Sequence, residues 1–394
     1  MKATPVAKGA WPEQSASFGL FFFAYYGYVG VFSPYGSLYF AGLGMSVAQI
    51  GLLMSLLQVM RIFGPNLWGH VADHTSQRVR VLRATALGAV LCFCGLFFVE
   101  SFVPVFLVMV VFNLFTSAQG PLSEALMLSQ MRGDLTHYGR LRLWGSVGFI
   151  VSVTLAGKLL DIWGVALVPW IALALLALLL VASLVIREPM EHAPPHPAPP
   201  LADLLRRREV IAFFLSTFLM IAAHAAVYVF YSLALERIGY SKTVIGLMWS
   251  LGVLAEIAFF FWQAPLFRRF GVEKLMLASL VAGVLRFLLI GFLAESLFWL
   301  LVAQLLHAAT FGVHHSASVA TLQRWFSGPL QARGQALFIS ISYGLGGSLG
   351  GLLLSLFWDT FGVQAVYLVA ALLCAAGTVA AALSYTWQRT WSTR

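Results

Sequence analysis

The chain has 394 residues, 60% of them hydrophobic and 10% charged, and its mean hydropathy is +0.87. A soluble domain carries about 25% charged residues, so this composition excludes a water-soluble fold. The net charge of +9 would suit nucleic acid, but the basic residues cluster between apolar runs, which makes them a topology signal with no nucleic-acid partner implied.

Breaks at Gly, Pro and charge clusters divide the chain into twelve spans: 16–41, 47–69, 80–99, 102–130, 139–163, 165–187, 208–236, 242–267, 272–293, 296–326, 331–358 and 362–388. Their lengths suit the roughly 20 residues that a helix needs to cross a bilayer. None alternates like the strands of a membrane barrel, which run to about ten residues. The predicted fold is an all-α membrane protein of twelve transmembrane helices, with the bilayer as its surroundings. If both termini are cytoplasmic, the inner segments hold most of the Lys and Arg, including Lys2, Lys8, Arg78, Arg80, Arg83, Arg132, Arg187, Arg206 to Arg208, Arg268, Arg269 and Arg394. The outer segments hold only Lys158, Arg237 and Lys242, which fixes that orientation. No short apolar stretch with a cleavage site precedes Phe18, so the first span is expected to be retained. Cys92, Cys94 and Cys374 fall inside spans and read as packing residues.

Between spans six and seven lies "EPMEHAPPHPAPPLADLLRRRE", rich in Pro and charge. It divides the chain into an N-terminal six-helix bundle (1–187), a cytoplasmic linker (188–207) and a C-terminal six-helix bundle (208–394). The halves repeat: "GMSVAQIGLLMSL" from Gly44 matches "GYSKTVIGLMWSL" from Gly239 at an offset of 195 residues. The same offset carries Arg61 onto Glu256. Two pseudo-symmetric six-span bundles related by an axis along the membrane normal are the architecture of major facilitator transporters. "GHVADHTSQRVR" at the inner end of span two resembles the GxxxD loop signature of that superfamily, through Gly69 and Asp73 followed by Arg78. We assign Asp73, Arg78 and Arg61 to gating.

Charges at a helix centre cost about 2.5 to 3.5 kcal/mol each, so they face a cavity and a partner. Here they are Arg61, Glu124, Glu256 and Arg286, with Arg142 one turn inside span five. Spans four and five form a hairpin that puts Glu124 and Arg142 at similar depths. Asn113 in span four needs a partner in hydrocarbon, and Gly120-Pro121 should bend that span near Glu124. Tyr25, Tyr28, Tyr35, Trp144, Phe149, Tyr228, Tyr231 and Tyr343 are cavity candidates. His307, His314 and His315 in span ten have no accompanying carboxylate or cysteine, so no metal site is assigned. "GLGGSLGG", Gly344 to Gly351, reads as close helix contacts of small residues, since a phosphate loop would need a following Lys and a preceding strand.

"YGRLRLWGSVGF" at Tyr138 to Phe149, with Glu124 eighteen residues before Arg142, resembles the fifth-helix motif of the lactose permease group. The likeness continues through "FFFAYYGYVGVFSPYGSLYF", "APLFRRFG", Arg286 and His307. Through "FNLF", "PLSEAL" and "RLWGSVGF" the chain is most similar to the phenylpropionate permease-like branch. The resemblance implies that Glu124 and Arg142 bind substrate, with Glu256 close to Arg142, and that Glu256, Arg286 and His307 couple protons. Phe149 and Ser146 fall where the sugar permeases place a tryptophan and a cysteine. We add Tyr28, Asn113, His224 and Tyr228 to the substrate-binding set. Two departures matter: a glutamate one turn after the span-ten histidine is here Thr310, and "MIAAHAAVYVFY" replaces an acid-rich seventh span. These losses argue against lactose and move the proton-carrying role toward Glu256.

The function expected is a proton-coupled symporter importing a small organic solute, foremost an aromatic carboxylate, by alternating access. A sugar or nucleoside symporter and an exporter of the same fold are the alternatives. No enzyme is expected, because no metal cluster or activated nucleophile accompanies the spans. No cofactor is called for beyond the proton gradient, and the protein is expected to work as a monomer in the bacterial inner membrane.

Overall fold

The structure, a computed structural model, describes residues 14–131, 137–188 and 202–392. Lys2, Lys8, Arg132, Arg394 and most of the linker, residues 189–201, lie outside the described residues. Twelve helices long and apolar enough to cross a membrane are present among the described residues: α1 (Ser15–Gly42), α2 (Val47–Thr75), α3 (Arg78–Phe98), α4 (Phe102–Gln130), α5 (Tyr138–Trp163), α6 (Val165–Val185), α7 (Arg208–Ile238), α8 (Lys242–Phe270), α9 (Val272–Leu293), α10 (Leu297–Trp325), α11 (Gln331–Phe361) and α12 (Val363–Arg389). No strand occurs among the described residues. In hydrocarbon every backbone amide needs an internal partner, so each long apolar run resolves as helix.

Where the helices depart from the sequence expectation, the reason is local. α2 continues past Gly69 to Thr75, because Val71 and Ala72 extend its apolar side, and it stops where Ser76 takes φ +53°. Asp73 therefore sits in the last helical turn, not in a loop. α4 is interrupted at Ser117 and Ala118, one turn ahead of Pro121. Proline has no N–H for the Ser117 carbonyl, so the helix breaks there rather than at Gly120-Pro121 itself. α7 is interrupted at Val229 and Phe230, where no Gly or Pro marks it. α10 and α11 each contain a π-helical segment, Ala308–Val313 and Ile339–Gly346. Such widened turns favour functional positions because they re-aim the following side chains.

Packing gathers the chain into two units, Met1–Gly36 with Phe63–Pro194, and Ser37–Ile62 with Pro195–Arg394. In the first, Tyr28, Phe32, Phe93 and Phe112 form an aromatic core, with Phe93 and Phe112 centroids 5.0 Å apart. α1 and α5 cross in backbone contact at glycines. A Cβ on Gly148 would stand 2.2 Å from the Phe23 carbonyl oxygen, and one on Gly30 would stand 2.7 Å from that of Phe149. At the inner end, the Glu188 carboxylate accepts from the backbone N–H groups of Arg78 and Val79 at 3.0 and 2.8 Å, which caps α3. Arg83 donates to the carbonyls of Ser183, Leu184 and Ile186, which closes α6. Glu188, the first residue assigned to the linker by sequence, is thus part of the packed unit.

In the second unit α7 and α9 pack on α12, and α11 lies against α7. The glycines of "GLGGSLGG" serve both faces of α11. A Cβ on Gly350 would meet the Ala222 carbonyl of α7 at 2.4 Å, whereas Gly344, Gly347 and Gly351 receive Ile62, Gln58 and Ser55 of α2. Small residues thus allow the close approach expected between membrane helices. They also explain why residues 37–62 belong by contact with the second unit rather than with the first sequence half.

Candidate functional site

In the first unit the bend in α4 and the start of α5 bring two charges together. Arg142 Nε lies 3.0 Å from Glu124 Oε1, and both side chains are about one-third exposed (32% and 36%), so the pair is not sealed in the core. The Tyr138 hydroxyl, one helical turn before Arg142, donates to the same Oε1 at 3.2 Å. The guanidinium carbon stands 4.9 Å from the Tyr26 ring centroid and 5.4 Å from that of Phe22. Both rings lie within the ~6 Å over which a ring face attracts a cation. Tyr26 reaches this place because Gly145 has no side chain: a Cβ there would be 2.6 Å from Tyr26 Cδ2. Ser146 and Phe149 follow four and seven residues after Arg142, on the same helical face, and both are half-buried.

Two other substrate candidates in this unit are not brought to the pair. Tyr28 is 7% exposed inside the aromatic core. Asn113 donates its amide to the Met109 carbonyl at 2.8 Å and stays buried. Tyr35 is likewise buried, donating to the Val153 carbonyl, while Trp144 lies 51% exposed against Gly19.

The second unit assembles another polar group. His307 Nε2 is 3.8 Å from Glu256 Oε2. Gly252 leaves room for the imidazole, since a Cβ there would meet His307 Cδ2 at 3.2 Å. Arg286 is fully buried and donates to the Ala303 carbonyl (3.1 Å), Thr310 Oγ1 (2.9 Å) and Gln304 Oε1 (3.3 Å). All three acceptors are neutral, and no carboxylate lies within 4.0 Å of Arg286 among the described residues. Thr310, one turn after His307, thus accepts a hydrogen bond from Arg286. His224 is fully buried, its Nδ1 2.9 Å from the Met220 carbonyl, so it lines no accessible site, although Tyr228 lies beside it at 6.2 Å between ring centroids. His224 Nε2 and His307 Nδ1 have no hydrogen-bond partner among the described residues. Most buried polar groups in folded proteins are paired; Gln119 Oε1, Ser216 Oγ, Tyr231 Oη, Gln304 Nε2 and His314 Nε2 share this condition.

The assigned gating residues separate into two places. Asp73 and Arg78 pair at 3.0 Å across the turn between α2 and α3. Arg61, midway along α2, has no carboxylate within 4.0 Å among the described residues. Its Nη1 donates to Gln58 Oε1 at 2.9 Å.

Sequence reasoning missed Phe22, Tyr26 and Tyr138. The signal for Tyr138 was available, because it precedes Arg142 by four residues and so shares its helical face. Phe22 and Tyr26 are one turn apart on α1, but their register against α5 depends on which glycine receives which ring.

The chain matches the family model described as "MFS_1 like family" over residues 16–369. It is 33% identical over 339 residues to the "Probable 3-phenylpropionic acid transporter" of Escherichia coli (strain K12), covering 83% of this chain and 86% of that protein. It is 28% identical over 359 residues to the "Maltose permease" of Geobacillus stearothermophilus, covering 89% of each. Among solved structures, that of the nucleoside transporter NupG superposes with a TM-score of 0.82 at 19% identity, covering 95% of this chain and 99% of that one. At that identity the likeness concerns the fold.

Proposed function

The chain belongs to the MFS_1 like family of major facilitator secondary transporters, and on that premise we propose that it is a proton-coupled symporter importing an aromatic carboxylate. The observation that carries this reading is a charge imbalance. Arg61 and Arg286 in the middles of their spans and Arg142 one turn inside span five make three arginines, against two carboxylates, Glu124 and Glu256. An uncompensated cation in low dielectric is costly, and an anionic substrate offsets it. The aromatic side chains on Arg142 add surfaces for a ring. The similarity to a probable phenylpropionic acid transporter points the same way.

In this reading Glu124, Arg142 and Tyr138 orient the substrate, with Ser146 and Phe149 beside them. Glu256 and His307 carry the coupling proton. An acid beside a cation favours its ionised form, and an acid isolated in a low-dielectric site favours its protonated form. A conformational cycle that carries Glu256 away from an arginine, whose charge is permanent, and back again would therefore bind and release a proton without covalent chemistry, with His307, 3.8 Å from Glu256, as the group through which that proton passes. Arg286, held by neutral acceptors, contributes a fixed positive field next to that pair. Asp73 and Arg78 act at the inner gate. The protein works as a monomer in the bacterial inner membrane, with both termini cytoplasmic.

A sugar or nucleoside is the second reading, favoured by the Glu124–Arg142 pair, which offers an acceptor and donors to hydroxyls. Proteoliposomes containing the purified protein separate the two. Addition of 3-phenylpropionate should draw protons into the vesicles beyond the signal of protein-free liposomes, and maltose and nucleosides should not. Proton movement triggered by maltose or a nucleoside and absent with the acid would reverse the assignment.

A further inference from the structure

We propose that Arg61, set against Tyr343, is the subsite that holds the substrate's carboxylate and the near edge of its ring. This deepens the aromatic-carboxylate reading and rests on it. The argument begins from elimination among the three intramembrane arginines. Arg142 already has a carboxylate, because Glu124 lies 3.0 Å from its Nε, so an incoming anion there would meet a neutral pair. Arg286 is fully buried and its guanidinium is engaged by a backbone carbonyl, Thr310 and Gln304. Arg61 alone is half-buried and without a carboxylate within 4.0 Å among the described residues; its bond to Gln58 uses Nη1 and leaves the charge uncompensated. A guanidinium takes a carboxylate through two parallel N–H bonds, which makes Arg61 suited to a ligand acid.

Its surroundings are built to hold it still. A Cβ on Gly344 would stand 2.6 Å from Ile62 Cγ1 and one on Gly347 would stand 3.0 Å from Gln58 Cγ, so α2 is seated directly on α11 on both sides of Arg61. The Ser340 hydroxyl donates to the Ile62 carbonyl at 3.4 Å. Gly344 and Ser340 belong to the π-helical segment Ile339–Gly346, which carries Tyr343, and Gly347 directly follows it. The Arg61 guanidinium carbon is 5.9 Å from the centroid of the Tyr343 ring. The Tyr343 hydroxyl lies 3.2 Å from His315 Nδ1, which fixes the ring's direction. His315 in turn stacks at 12° to Phe311, with centroids 6.5 Å apart. A cation, a fixed ring and further aromatic surface therefore lie together in one unit, the combination that an arene carboxylate requires. No acid lies within 4.0 Å of Arg61 among the described residues, and Glu256 acts on the same tyrosine, Tyr343, which places the proposed anion site and the proposed proton site around one ring.

The test compares binding of 3-phenylpropionate and of the uncharged 3-phenylpropanol to the full-length purified protein. Wild type should favour the acid. Arg61→Gln should weaken acid binding by about tenfold or more while leaving the alcohol within about threefold, so that the preference collapses. Arg61→Lys should keep part of the preference, since it keeps the charge but loses the fork. Tyr343→Leu should weaken both ligands alike and preserve their ratio. Thermal melting confirms that each variant is folded. An unchanged acid-to-alcohol ratio in a folded Arg61→Gln protein overturns the subsite alone, as does an equal loss for both ligands. Failure of wild type to bind the acid overturns the aromatic-carboxylate reading and the subsite with it.

Discussion

Arg142 is held from three sides, by the Glu124 carboxylate, the Tyr26 ring and the Phe22 ring, and its carboxylate partner is shared with Tyr138. This arrangement sets the Glu124 oxygen in one position rather than letting it swing between Arg142 and bulk water. Tyr138→Phe removes the hydroxyl that bonds that oxygen and that also interacts with Arg142, and leaves the ring in place. A net hydrogen bond to a charged group is worth about 1.5 to 3 kcal/mol when it is fully effective. Because the pair is one-third exposed, we expect a smaller loss, about threefold to tenfold in substrate affinity, with an unchanged melting temperature. Equilibrium binding on the variant checks this. Arg142→Lys is more severe, because lysine supplies neither a second planar face for the rings nor an Nε–H for Glu124. At this scale the sequence was informative about charges and poor about rings. Arg142 and Glu124 stand out because ionised groups are rare inside spans, so their pairing could be read from hairpin geometry. Tyr26 and Phe22 are two among 14% aromatic residues, and nothing in composition distinguishes a ring over a guanidinium from one in the core such as Tyr28.

The helices are positioned mainly by missing side chains. The crossing of α1 and α5 depends on Gly148, where an added methyl would meet backbone at 2.2 Å. Backbone cannot rotate aside as a flexible side chain can, so the helices would have to separate. Gly148→Ala should therefore lower thermal stability, an overpacking cost of about 1 to 3 kcal/mol that outweighs the ~1 kcal/mol gain in helix propensity. Gly69 is also helical, but nothing lies within 4 Å of the place a methyl group would take there, so Gly69→Ala should leave stability level or raise it slightly. Melting curves of the two variants in the same detergent compare these expectations; equal shifts would show that the crossing tolerates expansion. Element ends were legible to within a few residues where Gly, Pro or charge coincide, as in α8 and α9. The interruption of α7 at Val229 and the π-helical segments of α10 and α11 were not legible. No Gly-Pro or charge cluster marks α7 at Val229, and hydropathy does not distinguish a π-helical turn from an α-helical one.

Across the molecule, the twelve spans and the internal repeat were readable because hydropathy and self-similarity are properties of the chain alone. The division into packing units was not. Residues 37–62 join the second unit because Gly51 and Ser55 of α2 meet Ser355 and Gly351 of α11, a complement of small residues from opposite ends of the chain. The repeat nevertheless sharpens the functional account. Arg61 and Glu256 occupy equivalent positions in the two sequence halves, and their surroundings differ: among the described residues Arg61 has no carboxylate within 4.0 Å, while Glu256 meets His307. One position of the repeat has thus become a candidate anion site and the other a candidate proton site. A transporter built this way can bind an acid and its coupling proton at separate residues, which lets loss of one be measured without loss of the other. The decisive measurement is labelled 3-phenylpropionate transport by wild type and Glu256→Gln in proteoliposomes under an imposed pH gradient. Wild type should accumulate the acid, whereas Glu256→Gln should still exchange it between equal concentrations but fail to accumulate it. Accumulation by Glu256→Gln at the wild-type level would contradict the assignment of the coupling proton to Glu256 and His307.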